Sequence, residues 1–520
     1  MSVGGHEMRA VSILNEVLGP VMRGPSSSHT AGSFYIGRLA RDLLGGEPAS
    51  AEFVFDPAGS LAQVYRQQGS DVAFAAGLIG VPMADEQFLS ALELAADRGL
   101  IVSFSVEPLR HADHPNTVEV RLQASDGRRL ILIAKSVGGG AVVVSRVDDW
   151  RIELTGDAYE VLVVVDERDE PVVRHRLIEG GRVIEARTVH TEAGRVLLHV
   201  RLTQPPAEDL AERLPEAHAI WMAAPVCFVP CGEPLVASAA GIVSLAERRR
   251  LSLGRAALAH EAALLDLTEE AVLAEVARRF DVMRSAVQRG LTADLPPMRL
   301  LQPTAHRVHR AAAEGRVAVG GLHTRAAARA MAVMHVNGSM GLICAAPTAG
   351  SAGVIPGTVV TLVDELRLDR EQTALALLAA AGVGVVIGAR GTFAAEEAGC
   401  QVEIGAAGAM AAAAVVEAVG GNVRQAVDAA AISLQNTMGS VCDLVQGFVE
   451  IPCHTRNAVA ASSAFVCADL VLGGYINPIP FDETIDAAIA AGRMLPRELR
   501  CTALGGLAAT PSARSMPSLR

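Results

Sequence analysis

Aromatic side chains are scarce in this sequence: two Trp, four Tyr and twelve Phe make up 3% of 520 residues. Stacking surfaces for bases are therefore few, and no Lys/Arg-rich run is interleaved with aromatics. With a formal charge of -12, the composition excludes nucleic acid as the expected partner. Lysine is scarcer still, because Lys135 is the sole one. Chemistry that needs a Schiff-base lysine is thereby confined to a single position. The glycine-rich stretches SVGGG at 136–140 and APTAGSAGVIPG at 346–357 lack the Walker lysine and the fingerprint spacing of a nucleotide loop, and read as tight turns. Near the first residues, Glu7, Arg9 and Glu16 interrupt any apolar run, so a secretory leader is not expected and a cytoplasmic location is. The longest apolar stretch, Thr373 to Ala389, lies between Gln372 and Arg390 and contains Gly382, Gly384 and Gly388. It reads as a buried core helix, with no membrane as partner.

What is abundant is small and apolar. Half of the residues are hydrophobic, enough for more than one core. The fold class expected is an α+β multidomain chain. Residues 1–155 alternate helical stretches such as Ala91 to Arg98 with β-rich ones such as Asn116 to Leu122 and Arg129 to Ile133, which predicts an α/β domain. Residues 156–205, with VLVVVD and RVLLHVRL flanking a helix, predict a small α/β module of regulatory size. Residues 206–240, entered through TQPP at 203–206 and containing Pro206 and Pro215, read as a linker. From 241 to 520 the pattern predicts a mainly α-helical domain.

Eight cysteines in so long a chain point away from a disulfide framework and toward metal binding or catalysis. Cys400 (GCQVEIG), Cys442 (VCDLVQG) and Cys453 (IPCHTRNA) are 42 and 11 positions apart, each at a predicted helix boundary. Cys400 precedes a helix from about Ala407 that stops at Gly420 and Gly421, and Asn422 caps a second one ending near Gly439. Cys453 follows Pro452 and precedes a helix from about Asn457, whose N-terminus favours a thiolate and a substrate carboxylate. Spacing alone leaves open that all three are small inert hydrophobes of an Ala-rich core. Cys227 and Cys231 lack a second pair and read as structural, and Cys344 and Cys467 as core.

The segments GPSSSHTAGS (24–33), HPNT (114–117), SVGGG (136–140), VNGSMGLICAAPTAGSAGVIPG (336–357), EAGCQVEIG, VCDLVQGFVEIPC, RNA (456–458) and ALGGLAATP (503–511) together resemble the iron-sulfur L-serine dehydratase family. They occur in family order, β-type part before α-type part. The resemblance implies an N-terminal α/β substrate-binding-type domain, a small ACT-like α/β module and a helical catalytic domain. It implies a 4Fe-4S cluster on Cys400, Cys442 and Cys453, with one iron open as a Lewis acid. That iron would bind the substrate carboxylate and β-hydroxyl while a base takes the Cα proton of L-serine, yielding pyruvate and ammonia.

The same motifs supply candidate site residues. His29 and Ser28 are the catalytic candidates. Ser26, Ser27, Thr30, Asn116, Asn337, Ser339, Thr348, Arg456 and Asn457 are the candidates for binding the small amino-acid substrate, Arg456 by a bidentate fork. Ordinary structural uses compete: serines satisfy turns, arginines pair with acids, and a lone histidine is more often structural. Glu403, His335 and His454 are further candidates. The site is expected at a cleft between the N- and C-terminal domains of a homodimer or higher homo-oligomer. Two departures stand out. Where many relatives carry Lys-Gly-His, this chain has Arg66, Gln67 and Gln68, and Gln is no general base. Where relatives usually have an acid before TALGGLA, it has Cys501. Gln68 opens two alternatives: a β-eliminating lyase on another small amino or hydroxy acid, and a catalytically silent ligand-binding relative.

Overall fold

The computed structural model describes residues 10–179, 183–190 and 194–519. The chain forms two compact units: one is the chain to Ser27 together with Gly232–Arg520, the other is Ser28–Cys231.

The first unit is helical, as its composition predicts. The expected core helix is Arg370–Arg390, started by a reciprocal capping box between Asp369 and Gln372. It packs on Ile404–Ala418, which in turn packs on Val423–Gln435 and Cys453–Leu472. Arg370–Arg390 and Cys400–Ala418 are long and apolar enough to cross a membrane, but their apolar windows are 83% and 89% buried inside the protein. Asn422 caps Val423–Gln435 through Gln425, the predicted start; the helix ends short of Gly439. Small residues set the packing distance. A β-carbon on Gly353 would lie 2.4 Å from the Ala330 carbonyl oxygen, so glycines of 346–357 serve close helix approach against Leu322–Gly338 more than tight turns. In 136–140 the turn reading holds, with Gly138, Gly139 and Gly140 at positive φ.

The described N-terminal residues, 10–27, join this unit, which corrects the expected 1–155 domain. The buried Glu261 carboxylate accepts from Ser12 Oγ at 2.6 Å and from the Ile13 and Leu14 amides at 2.7 and 2.9 Å. Strand Val21–Arg23 pairs antiparallel with Leu342–Cys344. Leaving a buried carboxylate without these donors costs more than a short connecting strand can recover, so the segment stays with its partners.

In the second unit a six-stranded sheet runs in the order Ile101–Val106, Ser50–Phe55, Thr117–Gln123, Arg129–Gly138, Ala141–Val147, Trp150–Leu154. Only the first pair is parallel. Alternate burial along Thr117–Gln123 and Arg129–Gly138 is the period-two pattern of a half-covered sheet. A second sheet is antiparallel in the order Ala219–Ala223, Tyr159–Asp166, Arg195–Leu202, Val183–His190. Helix Glu170–Glu179 adds Val173 and Leu177 to its core. The 206–240 segment is thus more than a linker: Ala219–Ala223 hydrogen-bonds along an edge of Tyr159–Asp166 that would otherwise be open.

Candidate metal centre

Three short segments of the helical unit carry the cysteines together. Cys400 opens the single turn Cys400–Val402, entered through Gly399 at φ 74°. A β-carbon on Gly399 would meet the Ser440 carbonyl oxygen at 2.6 Å, so glycine is required there on both counts. Gln401 Oε1 accepts from the Gly439 amide at 2.9 Å, tying this turn to the loop that leads into Cys442. Cys442 begins the short strand Cys442–Asp443, parallel to Arg500–Thr502. Cys453 is the first residue of helix Cys453–Leu472, four residues earlier than the sequence predicts.

All three thiols are buried. The sulfurs of Cys400 and Cys442 and a carboxylate oxygen of Glu403 lie within 4.8 Å of one another. The Cys400 thiol is held well above its ordinary range by its hydrogen bond with Cys442 and by burial. Cys442 is also raised: its bond with Cys400 lowers it, and a bond with Cys501 together with burial outweighs that. Burial, then the charges of Cys400 and Glu403, raise Cys453. The thiolate expected at this helix N-terminus is therefore not what the protein groups alone favour, because desolvation exceeds the helix dipole. Crowded soft donors that resist ionisation by themselves suit a metal group whose cations offset the thiolate charges, so the donor set fits an iron-sulfur cluster.

Arg456 is the nearby cation. Its guanidinium donates to the Val441 carbonyl at 2.7 Å, to Asp443 Oδ1 at 3.0 Å and to Cys400 Sγ at 3.7 Å. Asp443 Oδ2 accepts from the Leu507 amide at 2.7 Å, which brings the GGLAA segment in. The residue expected as a substrate fork therefore braces the cysteine loops, and Asp443, which sequence reasoning passed over, is its anchor. The acid directly after Cys442 in VCDLVQG was the available signal.

A polar turn borders the thiols. Asn457 accepts from the Gly353 amide at 3.1 Å and donates to the carbonyls of Gly350 and Cys453, both at 2.9 Å. Asn337 Nδ2 donates to the carbonyls of Pro25 and Ala349, at 2.9 and 3.1 Å. Ser27 Oγ accepts from the Ala349 amide at 3.3 Å. Thr348 caps the same turn with Ser351 and bonds the Glu403 carboxyl, which burial, chiefly, and Glu396 push up to about 8. Ser27, Asn337, Thr348, Arg456 and Asn457 are thus brought to the cysteine region. Ser339 Oγ, Asn337 Oδ1 and His335 Nδ1 are buried with no hydrogen-bond partner among the described residues.

His335 and His454 lie with ring centroids 5.1 Å apart. Burial, with His306 adding, pushes His335 down to about 4. Burial, with His335 adding, pushes His454 down to about 3. Both fold as neutral imidazoles, while the unfolded chain takes up protons near 6.5. Between those values the unfolded state binds more protons, so stability is full above about pH 6.5 and declines as pH falls toward 4. Thermal melts across that range should show the decline, and His335→Gln should flatten it; equal slopes in both proteins would remove the pair as its cause.

Ser28, His29, Thr30 and Asn116 belong to the second unit. His29 is fully buried, with Nε2 3.0 Å from Ser60 Oγ and its carbonyl accepting from Ser70 Oγ at 2.7 Å. Thr30 Oγ1 donates to the Gln68 carbonyl at 2.8 Å, so the position that departs from relatives adjoins this motif. Asn116 Nδ2 donates to the Ser136 carbonyl at 3.4 Å. Lys135 pairs with Asp113 at 2.6 Å. Cys344 and Cys467 are buried, as expected for core positions; Cys227 is half-buried and Cys231 exposed.

The profile of the serine dehydratase alpha chain family matches residues 232–508, beginning where the second unit ends. The chain is 38% identical over 275 residues to a probable L-serine dehydratase alpha chain of Bacillus subtilis, covering 53% of this chain and 92% of that one. It is 37% identical over 153 residues to the probable beta chain of the same organism, covering 29% and 68%. Against the L-serine dehydratase TdcG of Escherichia coli it is 25% identical over 501 residues, 93% of this chain and 96% of the other.

Proposed function

This chain belongs to the L-serine dehydratase family, β-type part fused ahead of α-type part, and from that premise we propose that it converts L-serine to pyruvate and ammonia at a 4Fe-4S cluster on Cys400, Cys442 and Cys453. The observation that carries the reading is the close approach of the Cys400 and Cys442 thiols beside Glu403 and Arg456, with the buried Cys453 thiol electrostatically coupled to Cys400 and Glu403. When bound, the cluster supplies Lewis acidity toward the substrate's carboxylate and hydroxyl. The chain does the rest. Arg456, through Asp443, fixes the Cys400 turn and offsets thiolate charge. The unpaired polar atoms of Ser339, Asn337 and His335 are donors and acceptors for a small zwitterion, with Ser26, Ser27, Thr348 and Asn457 shaping the turns beside them. Glu403, raised to about 8 by burial, holds a proton near neutral pH and is a candidate acid for the departing hydroxyl. Ser28 and His29, with Thr30 and Asn116, are proposed to bind substrate and move the Cα proton. We read the sheet containing Tyr159–Asp166 as an ACT-like regulatory module, and the protein as a cytoplasmic homo-oligomer.

Buried Gln68 beside Thr30 favours a second reading, elimination from another small β-substituted amino or hydroxy acid. Anaerobic purification with iron and sulfide determination, followed by keto-acid release from a panel of such acids, tests both. Serine turnover that rises with iron content supports the first; turnover of another acid alone supports the second. Iron-free protein with pyridoxal absorbance would overturn both, and ligand-induced stabilisation of cluster-replete protein without turnover would mark a silent relative.

A further inference from the structure

The cysteine pocket holds a fourth thiol that the proposed centre does not use. In the pairing of Cys442–Asp443 with Arg500–Thr502, Cys442 opposes Arg500 and Asp443 opposes Thr502. Cys501 is the extra residue of a bulge, and it takes φ 59°. Bulges re-aim a side chain, and a left-handed backbone at a residue with a β-carbon persists only where its surroundings over-determine it. Here the result is a buried thiol hydrogen-bonded to that of Cys442. We propose that Cys442 and Cys501 form a reversible disulfide whenever Cys442 is not held by metal.

Two thiols touch Cys442, and geometry selects between them. Cys501 directly follows Arg500, the residue that Cys442 opposes, so the two cysteines stand on adjacent paired strands with their thiols in hydrogen-bond contact. Cys400 stands on a separate turn, its sulfur engaged by Arg456. The oxidant is a small-molecule disulfide. One cysteine sulfur attacks it as its proton passes to the leaving sulfur, forming a mixed disulfide and releasing one small thiol. The second cysteine then attacks the mixed disulfide, closing the Cys442–Cys501 bond and releasing the second thiol with the second proton. Two protein sulfurs are oxidised and one small disulfide is reduced to two thiols. The bond withdraws Cys442 from the ligand set, so iron enters only after reduction. The disulfide itself does not depend on the proposed cluster; this consequence does.

The test uses the full chain prepared iron-free, with Cys227→Ser and Cys231→Ser to remove the half-buried and the exposed thiol of the second unit. Oxidised glutathione should remove one pair of thiols, and peptide mapping should recover Cys442 linked to Cys501. Uptake of ferrous iron and sulfide without a reductant should fall about tenfold and return with dithiothreitol. Cys501→Ser and Cys501→Ala, introduced separately, should keep their uptake through the same treatment. A map that shows Cys442 unlinked or linked to Cys400 overturns the proposal, as does equal loss of uptake in the Cys501 variants. If the fully reduced chain takes up no iron, the cluster reading falls, while the peptide map still decides the disulfide.

Discussion

Cys400→Ser, Cys442→Ser and Cys453→Ser are each expected to lose most of the cluster iron while the chain stays folded. A serine hydroxyl ionises far less readily than a thiol and is a harder donor, so a cluster with three permanent protein ligands loses one third of its attachment. The local cost of the change is small, because each site exchanges one buried polar atom for another of similar size. Iron content per chain, measured with acid-labile sulfide and far-ultraviolet circular dichroism, separates ligand loss from unfolding. Cys227→Ser and Cys467→Ala are the controls and should retain full iron, since Cys227 lies in the second unit beside the Gly156 carbonyl and Cys467 lies far along helix Cys453–Leu472, outside the group of close donors. Full iron in any two of the three ligand variants would sink the assignment. Oxygen should act in the same direction, removing iron and activity that return with iron, sulfide and reductant.

Much of the helical unit was legible in the sequence, for identifiable reasons. Asn422 with Gln425, and Asp369 with Gln372, are local signals, complete within four residues, and their helices begin where those signals stand. The motif residues Asn337, Thr348 and Asn457 meet in the structure because each motif supplies a turn as well as a side chain. What the sequence hid depends on non-local contacts. No local pattern around Ser12 announces that its amide neighbours will be satisfied by Glu261, some 250 residues away. Arg456 looked free to bind a carboxylate, whereas Asp443 and Val441 engage it across the loop. The Cys453 thiol shows the same limit. Its helix position predicts a lowered pKa, and only the packed surroundings reveal that desolvation is larger. Cys501 was visible as a departure from the family, but its contact with Cys442 depends on a bulge that no local pattern encodes.

His29→Ala should lower turnover by about two or more orders of magnitude with the cluster spectrum unchanged, if this imidazole moves a proton or holds the substrate. The ring is buried, Nε2 faces Ser60 Oγ, and the backbone on either side is fixed by Ser70 and by Thr30 on the Gln68 carbonyl. A purely structural His29 would report chiefly in stability: truncation removes a buried hydrogen bond and leaves a cavity, costing about 1–3 kcal/mol. A loss of that size lowers the melting temperature, but at a temperature where the variant remains folded it leaves kcat per folded chain unchanged. The discriminating measurement is therefore kcat and KM across pH on cluster-replete protein, with folded fraction determined in parallel. Loss of one limb of the pH profile together with a fall in kcat identifies proton transfer, and a rise in KM alone identifies substrate binding. His29→Asn tests the hydrogen bond separately, because its amide can contact Ser60 yet cannot exchange a proton near neutral pH. Recovery of turnover in His29→Asn would exclude the base role, and wild-type kcat per folded chain in His29→Ala would return the SSSHT segment to structural duty.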